Sequence, residues 1–108
     1  MALAGIHVEF GYGGARGVIT SVGTSAQPVF RLVSSENKTT AGTTTATAPA
    51  VDTNFGGEPL VRITAVADSF VAFGVTPNAA AEPRAFIPAG ETRDYVVTAG
   101  HKVAWAAA

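Results

Sequence analysis

The stretch LVRITAVADSFVAFGVTPNAAAEPRAFIPAGETRDYVVTAGHKVAW, residues 60–105, decides the fold. It reads as five short strands joined by tight turns. In LVRITAVA, Val61, Ile63, Ala65 and Ala67 share one face, with Leu60, Arg62, Thr64 and Val66 on the other. That is the period of two that a half-buried strand requires. SFVAFGV alternates again, Phe70, Ala72 and Gly74 against Val71, Phe73 and Val75. Turn chemistry punctuates the runs: Asp68-Ser69, then Thr76-Pro77-Asn78, then Pro88-Ala89-Gly90-Glu91 with Pro and Gly at type II positions, then Ala99-Gly100-His101. Ala79 to Glu82 would begin a helical turn that Pro83 stops. No stretch carries a 3.6-residue apolar period. Strand and turn signals recurring every ~8–12 residues point to an all-β chain, an antiparallel β-sandwich or small barrel, jelly-roll-like.

Upstream the pattern is looser. LAGIHVEF, residues 3–10, is a candidate first strand, and GYGGARG, residues 11–17, follows it with four glycines. Their spacing approximates a dinucleotide-binding loop, but Val18, Ile19 and Val22 continue as a strand where that motif needs a helix. Pro28 introduces a further strand, VFRLVS. The Thr/Ala-rich segment 34–54 has the composition of a linker, yet its TTTATA run alternates like a strand with one hydroxyl face and one methyl face. The expected division is an N-terminal arm or first strand over 1–23 and a sandwich domain over 24–108 that includes segment 34–54. On this division, removing residues 1–14 leaves a folded domain.

At 108 residues the chain has the size of one domain. Charged residues make up only 14%, against about 25% in an ordinary soluble domain. A net charge of -1 leaves little repulsion to oppose association, which suits an assembly subunit. A monomer with a Ser/Thr surface fits the same composition. Disulfides, thiol chemistry and zinc ribbons are excluded, since there is no cysteine. No apolar run is long enough for a membrane helix, and MALAGIHVEF lacks the basic start of a signal peptide. Seven Lys/Arg, scattered singly among eight Asp/Glu, form no basic patch for nucleic acid.

Reactive constellations are equally scarce. His7 and His101 are the only imidazoles, and Glu9 near His7 gives too few ligands at too wide a spacing for a metal. Ser69 beside Asp68 has no histidine base and no nucleophile elbow. Glu91 with Asp94, or Glu58 with Asp52, would be the carboxylate pairs of a glycosidase, but all four fall in turns or on exposed strand faces. No catalytic residue, metal or cofactor is therefore assigned. Phe70, Phe73, Phe86 and Tyr95 fall at alternating positions expected to be core. The candidate interface residues are Phe10, Tyr12 and Phe55 beside glycines, Thr44 and Thr45 in the Thr run, and Trp105 near the end. For Trp105, core packing is favoured over an interface role.

Three segments carry a resemblance. Ala65-x-Ala67-Asp68-x-x-Val71-Ala72-Phe73-Gly74-x-x-Pro77, Phe86-Ile87-Pro88-Ala89-Gly90-Glu91, and Tyr95-x-Val97-x-x-Gly100-x-Lys102-Val103-Ala104 are similar to small virion proteins of tailed phages. The similarity covers Val61 to Ala104 and rests on strand and turn punctuation. It implies a β-sandwich subunit on a phage particle, a capsid decoration or cement protein. Its partners would be the major capsid protein and copies of itself, as a trimer first. A head-tail connector, a tail component or a carbohydrate- or host-binding module shares these features. For the last, Tyr12, Trp105 and the Thr run would form the site.

Overall fold

The computed structural model describes residues 4–20, 23–52 and 57–108, with backbone alone over 14–20 and 23–29. Phe55 lies outside the described residues. The fold is all-β, two four-stranded antiparallel sheets packed as a β-sandwich, with no helix among the described residues. Strand β1 (Ile6–Thr20), β2 (Gly23–Lys38), β4 (Pro59–Ala65) and β7 (Thr92–Val96) form the first sheet in the order β2-β1-β4-β7. The second contains β3 (Gly42–Thr43), β5 (Ser69–Gly74), β6 (Ala85–Ile87) and β8 (Lys102–Ala107) in the order β3-β8-β5-β6. Only the β1–β2 and β5–β6 connections stay within a sheet; every other connection crosses between sheets, the wrapping of a jelly roll.

The alternation read in residues 60–65 is what builds the core. Val61, Ile63 and Ala65 of β4 point inward beside Ile6, Val8 and Phe10 of β1, all of them fully buried. Val71, Ile87, Val103 and Trp105 meet them from the second sheet. Leu60, Arg62 and Thr64 face outward, as a strict period of two demands. The glycines set the turns as expected, whereas Pro88 is the first residue of its turn and Ala89 takes the position a type II turn gives proline. Gly90 has φ +80° and the Glu91 N–H donates to the Pro88 carbonyl, while Gly100 has φ +84° and the His101 N–H donates to Thr98. Residues of ordinary chirality avoid that left-handed region.

Two expectations are corrected. Phe70 and Phe86 are not core: they lie on the outer face of the second sheet, ring centroids 5.5 Å apart, with Phe86 44% exposed. Phe73 and Tyr95 do pack against the core, half-buried and 5.0 Å apart. The second correction is the 79–82 segment, which forms a plain turn in which the Ala81 N–H reaches the Asn78 carbonyl. Ala79 is buried against Ala72 and Ala104, and Ala106 packs beside them. These small side chains let the loop lie flat on the sheet, a contact that stabilises it where helix propensity does not.

The first residues are central to the sandwich. β1 lies between β2 and β4, and Ile6 to Tyr12 pair on both sides. β1 continues through the Gly-rich stretch without a break in its pairing to β2. One irregularity falls between Phe10 and Gly11, where Ser34 and Leu32 are their partners and Val33 is the extra residue of a bulge. Gly11 is needed there: a Cβ would stand 2.0 Å from the Arg31 carbonyl oxygen.

Candidate assembly surface

Beyond Tyr12 the partners run out. β4 pairs with β1 only as far as Tyr12 opposite Pro59, whereas β1 and β2 stay paired to Thr20 opposite Gly23. Residues 13–20 and 23–30 therefore pair only with one another, and no third strand joins them among the described residues. Eight residues at ~3.3 Å each carry this arm roughly 26 Å past the sandwich. The long dimension of the molecule is 51 Å against 28 and 26 Å for the others.

The root of the arm is held on both faces. On the outer face, the Arg62 guanidinium sits 4.4 Å from the Phe30 ring centroid and grips Asp94 through Nε–Oδ1 at 2.9 Å and Nη2–Oδ2 at 3.1 Å. Phe30, Arg62 and Asp94 thus link β2, β4 and β7 across the sheet, with Gly11 leaving room for the Phe30 ring. The bonds from Asp94 raise the Arg62 pKa despite the opposing effect of burial. On the other face, the Tyr12 hydroxyl donates to the Ala50 carbonyl, and Arg31 pairs with Asp52 at 3.3 Å. Both contacts anchor segment 44–52 to the hairpin. Leu32, Val33 and Val51, each about half exposed, surround this root (53%, 50% and 50%).

The Thr-rich segment is seated by side chains. Thr44 is buried, its hydroxyl donating to the Ala46 carbonyl at 2.9 Å and accepting from the Val103 N–H at 3.1 Å. Thr44, Ala46 and Ala48 face in, and Thr43, Thr45 and Thr47 face out. Replacing Thr44 by Val strands the Val103 N–H in the core. Urea unfolding should show a loss of about 1–3 kcal/mol, and Thr44→Ser should recover most of it.

Glu36 of β2 closes the same side of the sandwich. Its carboxylate accepts from the Thr45 hydroxyl at 2.9 Å, the Ala46 N–H at 2.9 Å and the Thr45 N–H at 3.0 Å. Burial pushes its pKa up, but these bonds and nearby Lys38 outweigh burial and hold it below the ordinary 4.5. A carboxylate depressed on folding stabilises the native state above its unfolded pKa and ceases to do so as the pH falls through the folded value. Stability should therefore drop as the pH is lowered below about 4.5, and Glu36→Gln should flatten that part of the profile. Thermal melts of both proteins across the acid range provide the check.

Of the six candidate interface residues, Phe10, Tyr12, Thr44 and Trp105 are buried within the chain. Their side chains are taken up by packing and internal hydrogen bonds within the chain. Thr45 is exposed, with its hydroxyl bound to Glu36, and Phe55 lies outside the described residues. With Tyr12 and Trp105 inside, the ring platforms of a glycan site are not on the surface. Three of the four carboxylates considered for chemistry are held by arginines, Asp52 by Arg31, Asp94 by Arg62, and Glu91 by Arg93 at 2.7 Å, and the fourth, Glu58, is exposed. Ser69 is buried and donates to the Ala67 carbonyl at 2.7 Å, and Asp68 accepts from the Ala89 N–H at 2.9 Å. His7 contacts Asn37 and lies 3.8 Å from Glu9. No cluster of three metal-ligating side chains occurs among the described residues. The length of the hairpin arm was hidden from sequence reasoning because glycines carry no alternation; the strand read at Val18 and Ile19 was its signal.

Compared with family models, with curated proteins and with solved structures, the chain finds no match in any of the three.

Proposed function

We propose that this chain is a non-enzymatic structural protein of a tailed-phage particle, one that decorates or cements the capsid by bridging its subunits. The observation that supports this reading best is the β1–β2 arm. An isolated two-stranded hairpin is marginal in water, so an arm of this length gains its stability from a surface that receives it. The rigid root at Phe30, Arg62, Tyr12 and Arg31 fixes where the arm points, and the sandwich supplies a compact body. Low charge and the half-exposed Leu32, Val33 and Val51 around the root suit burial against a protein partner. The function would be passive: added contact area between capsid subunits opposes the pressure of packaged DNA.

Cosedimentation with capsids that lack this chain tests the reading. The intact chain should bind, and a variant with residues 14–29 replaced by an Asn-Gly turn should bind far more weakly while keeping its fold. An intact chain that stays in the supernatant contradicts the capsid role.

A further inference from the structure

We infer that the hairpin arm of one copy adds to the free edge of β7 in a second copy, head to tail, so that the first sheet continues from one subunit into the next. The inference deepens the assembly reading and rests on it for the arm's need of a partner.

The donor is defined by pairing and composition. Residues 13–20 and 23–30 carry a single charged side chain, Arg16, and no lysine. Natural sheet edges are usually guarded by charges, prolines, bulges or brevity; Pro28 guards the β2 side of the arm, whereas the β1 side, residues 13–20, has Arg16 as its single guard and is a template for another strand.

The acceptor follows from the ladder. The Val97 N–H donates to Pro59, and the Ala65 N–H donates to Glu91. In an antiparallel pair the bonded residues alternate, so Arg93 and Tyr95 direct their backbone groups at β4. The N–H and C=O groups of Thr92, Asp94 and Val96 therefore point away from the sheet along its open edge. The charges on this strand are already matched within the chain, Asp94 by Arg62 and Arg93 by Glu91. Val96 is 69% exposed, and an apolar cleft of about 260 Å³ opens beside Tyr95 between Phe73, Pro83 and Ala85.

The remaining edges are poorer acceptors. The body of β2 has the Val33 bulge and Lys38, β3 is two residues long, and β6 is three. Stable interfaces use about 20–30 residues a side. Sixteen arm residues together with their neighbours at the root approach that size. Donor and acceptor are different surfaces, so the contact is heterologous and closes into a ring when the rotation between copies permits, a trimer being one such ring.

Sedimentation velocity on the purified chain, with no capsid present, tests this separately from the particle reading. The intact chain should sediment as an oligomer. The Asn-Gly short-hairpin variant and Val96→Pro should each be monomeric with unchanged β-sheet circular dichroism. Proline at 96 removes an outward N–H and spares the β4 ladder; Val96→Lys serves the same end if the proline variant fails to fold. Mixed in equal amounts, the two monomeric variants should form a heterodimer, because one retains the edge and the other the arm. A monomeric intact chain, an oligomeric variant, or variants that stay apart when mixed would overturn the proposal.

Discussion

Removing residues 1–14 is expected to unfold this protein. Ile6, Val8 and Phe10 are fully buried between the sheets, and their strand pairs with β2 on one side and β4 on the other. Burial of three such side chains contributes roughly 5–9 kcal/mol, at about 1.5–3 kcal/mol each. That is comparable with the ~5–15 kcal/mol that holds a whole domain together. The truncation also leaves the inner edges of β2 and β4 unpaired. Circular dichroism and a denaturant titration of the truncated chain should show no cooperative transition. The short-hairpin variant, which keeps Ile6 to Gly13, should retain one. The two outcomes together separate the strand that builds the sandwich from the arm that leaves it.

Trp105→Ala should be the most damaging single substitution after that loss. Trp105 is 9% exposed, pairs with Val71 and Gly42 in the second sheet, and belongs to the core cluster. Truncating a buried Trp costs about 3–5 kcal/mol through lost transfer energy and the cavity left behind. At ~4–8 °C per kcal/mol for a domain near this size, the Tm should fall by more than about 12 °C. Trp105→Phe should be far milder, because the indole N–H makes no hydrogen bond among the described residues. Similar melting of the Ala variant and the intact chain would mean that Trp105 sits outside the core.

What could be read from the sequence depended on whether side chains carried a pattern. Val61, Ile63 and Ala65 alternate with Arg62 and Thr64, and they face where the alternation puts them. Pro88, Gly90 and Gly100 impose local geometry, so their turns were legible too. Thr44, Ala46 and Ala48 keep the two-faced alternation read in TTTATA. The Gly-rich stretch was opaque because glycine suits strand, turn and loop alike. Pro28 looked like the start of a strand, yet it sits within β2, at a sheet edge where a missing N–H costs no ladder bond. Phe70 and Phe86 misled because a large apolar side chain reads as core. Their faces are set by Val71 and Ile87, which take the inward positions, and by Arg84, whose guanidinium lies 3.8 Å from the Phe70 ring centroid.

The arm was the part of the candidate surface furthest from sequence reasoning, for the same reason. Nothing in residues 11–30 states that β4 stops at Pro59 while β1 continues. That follows from the lengths of neighbouring strands, which are a property of the assembled sheet. Glu36 was missed because a lone glutamate in the linker-like segment 34–54 reads as solvated. Its role appears only when segment 44–46 folds back against it.

Cryo-electron microscopy of the intact parent particle tests the structural role most directly. The account predicts density for the sandwich repeated across the capsid lattice, with the β1–β2 arm ordered against a neighbouring subunit. A particle with no density for this chain on its capsid would contradict it.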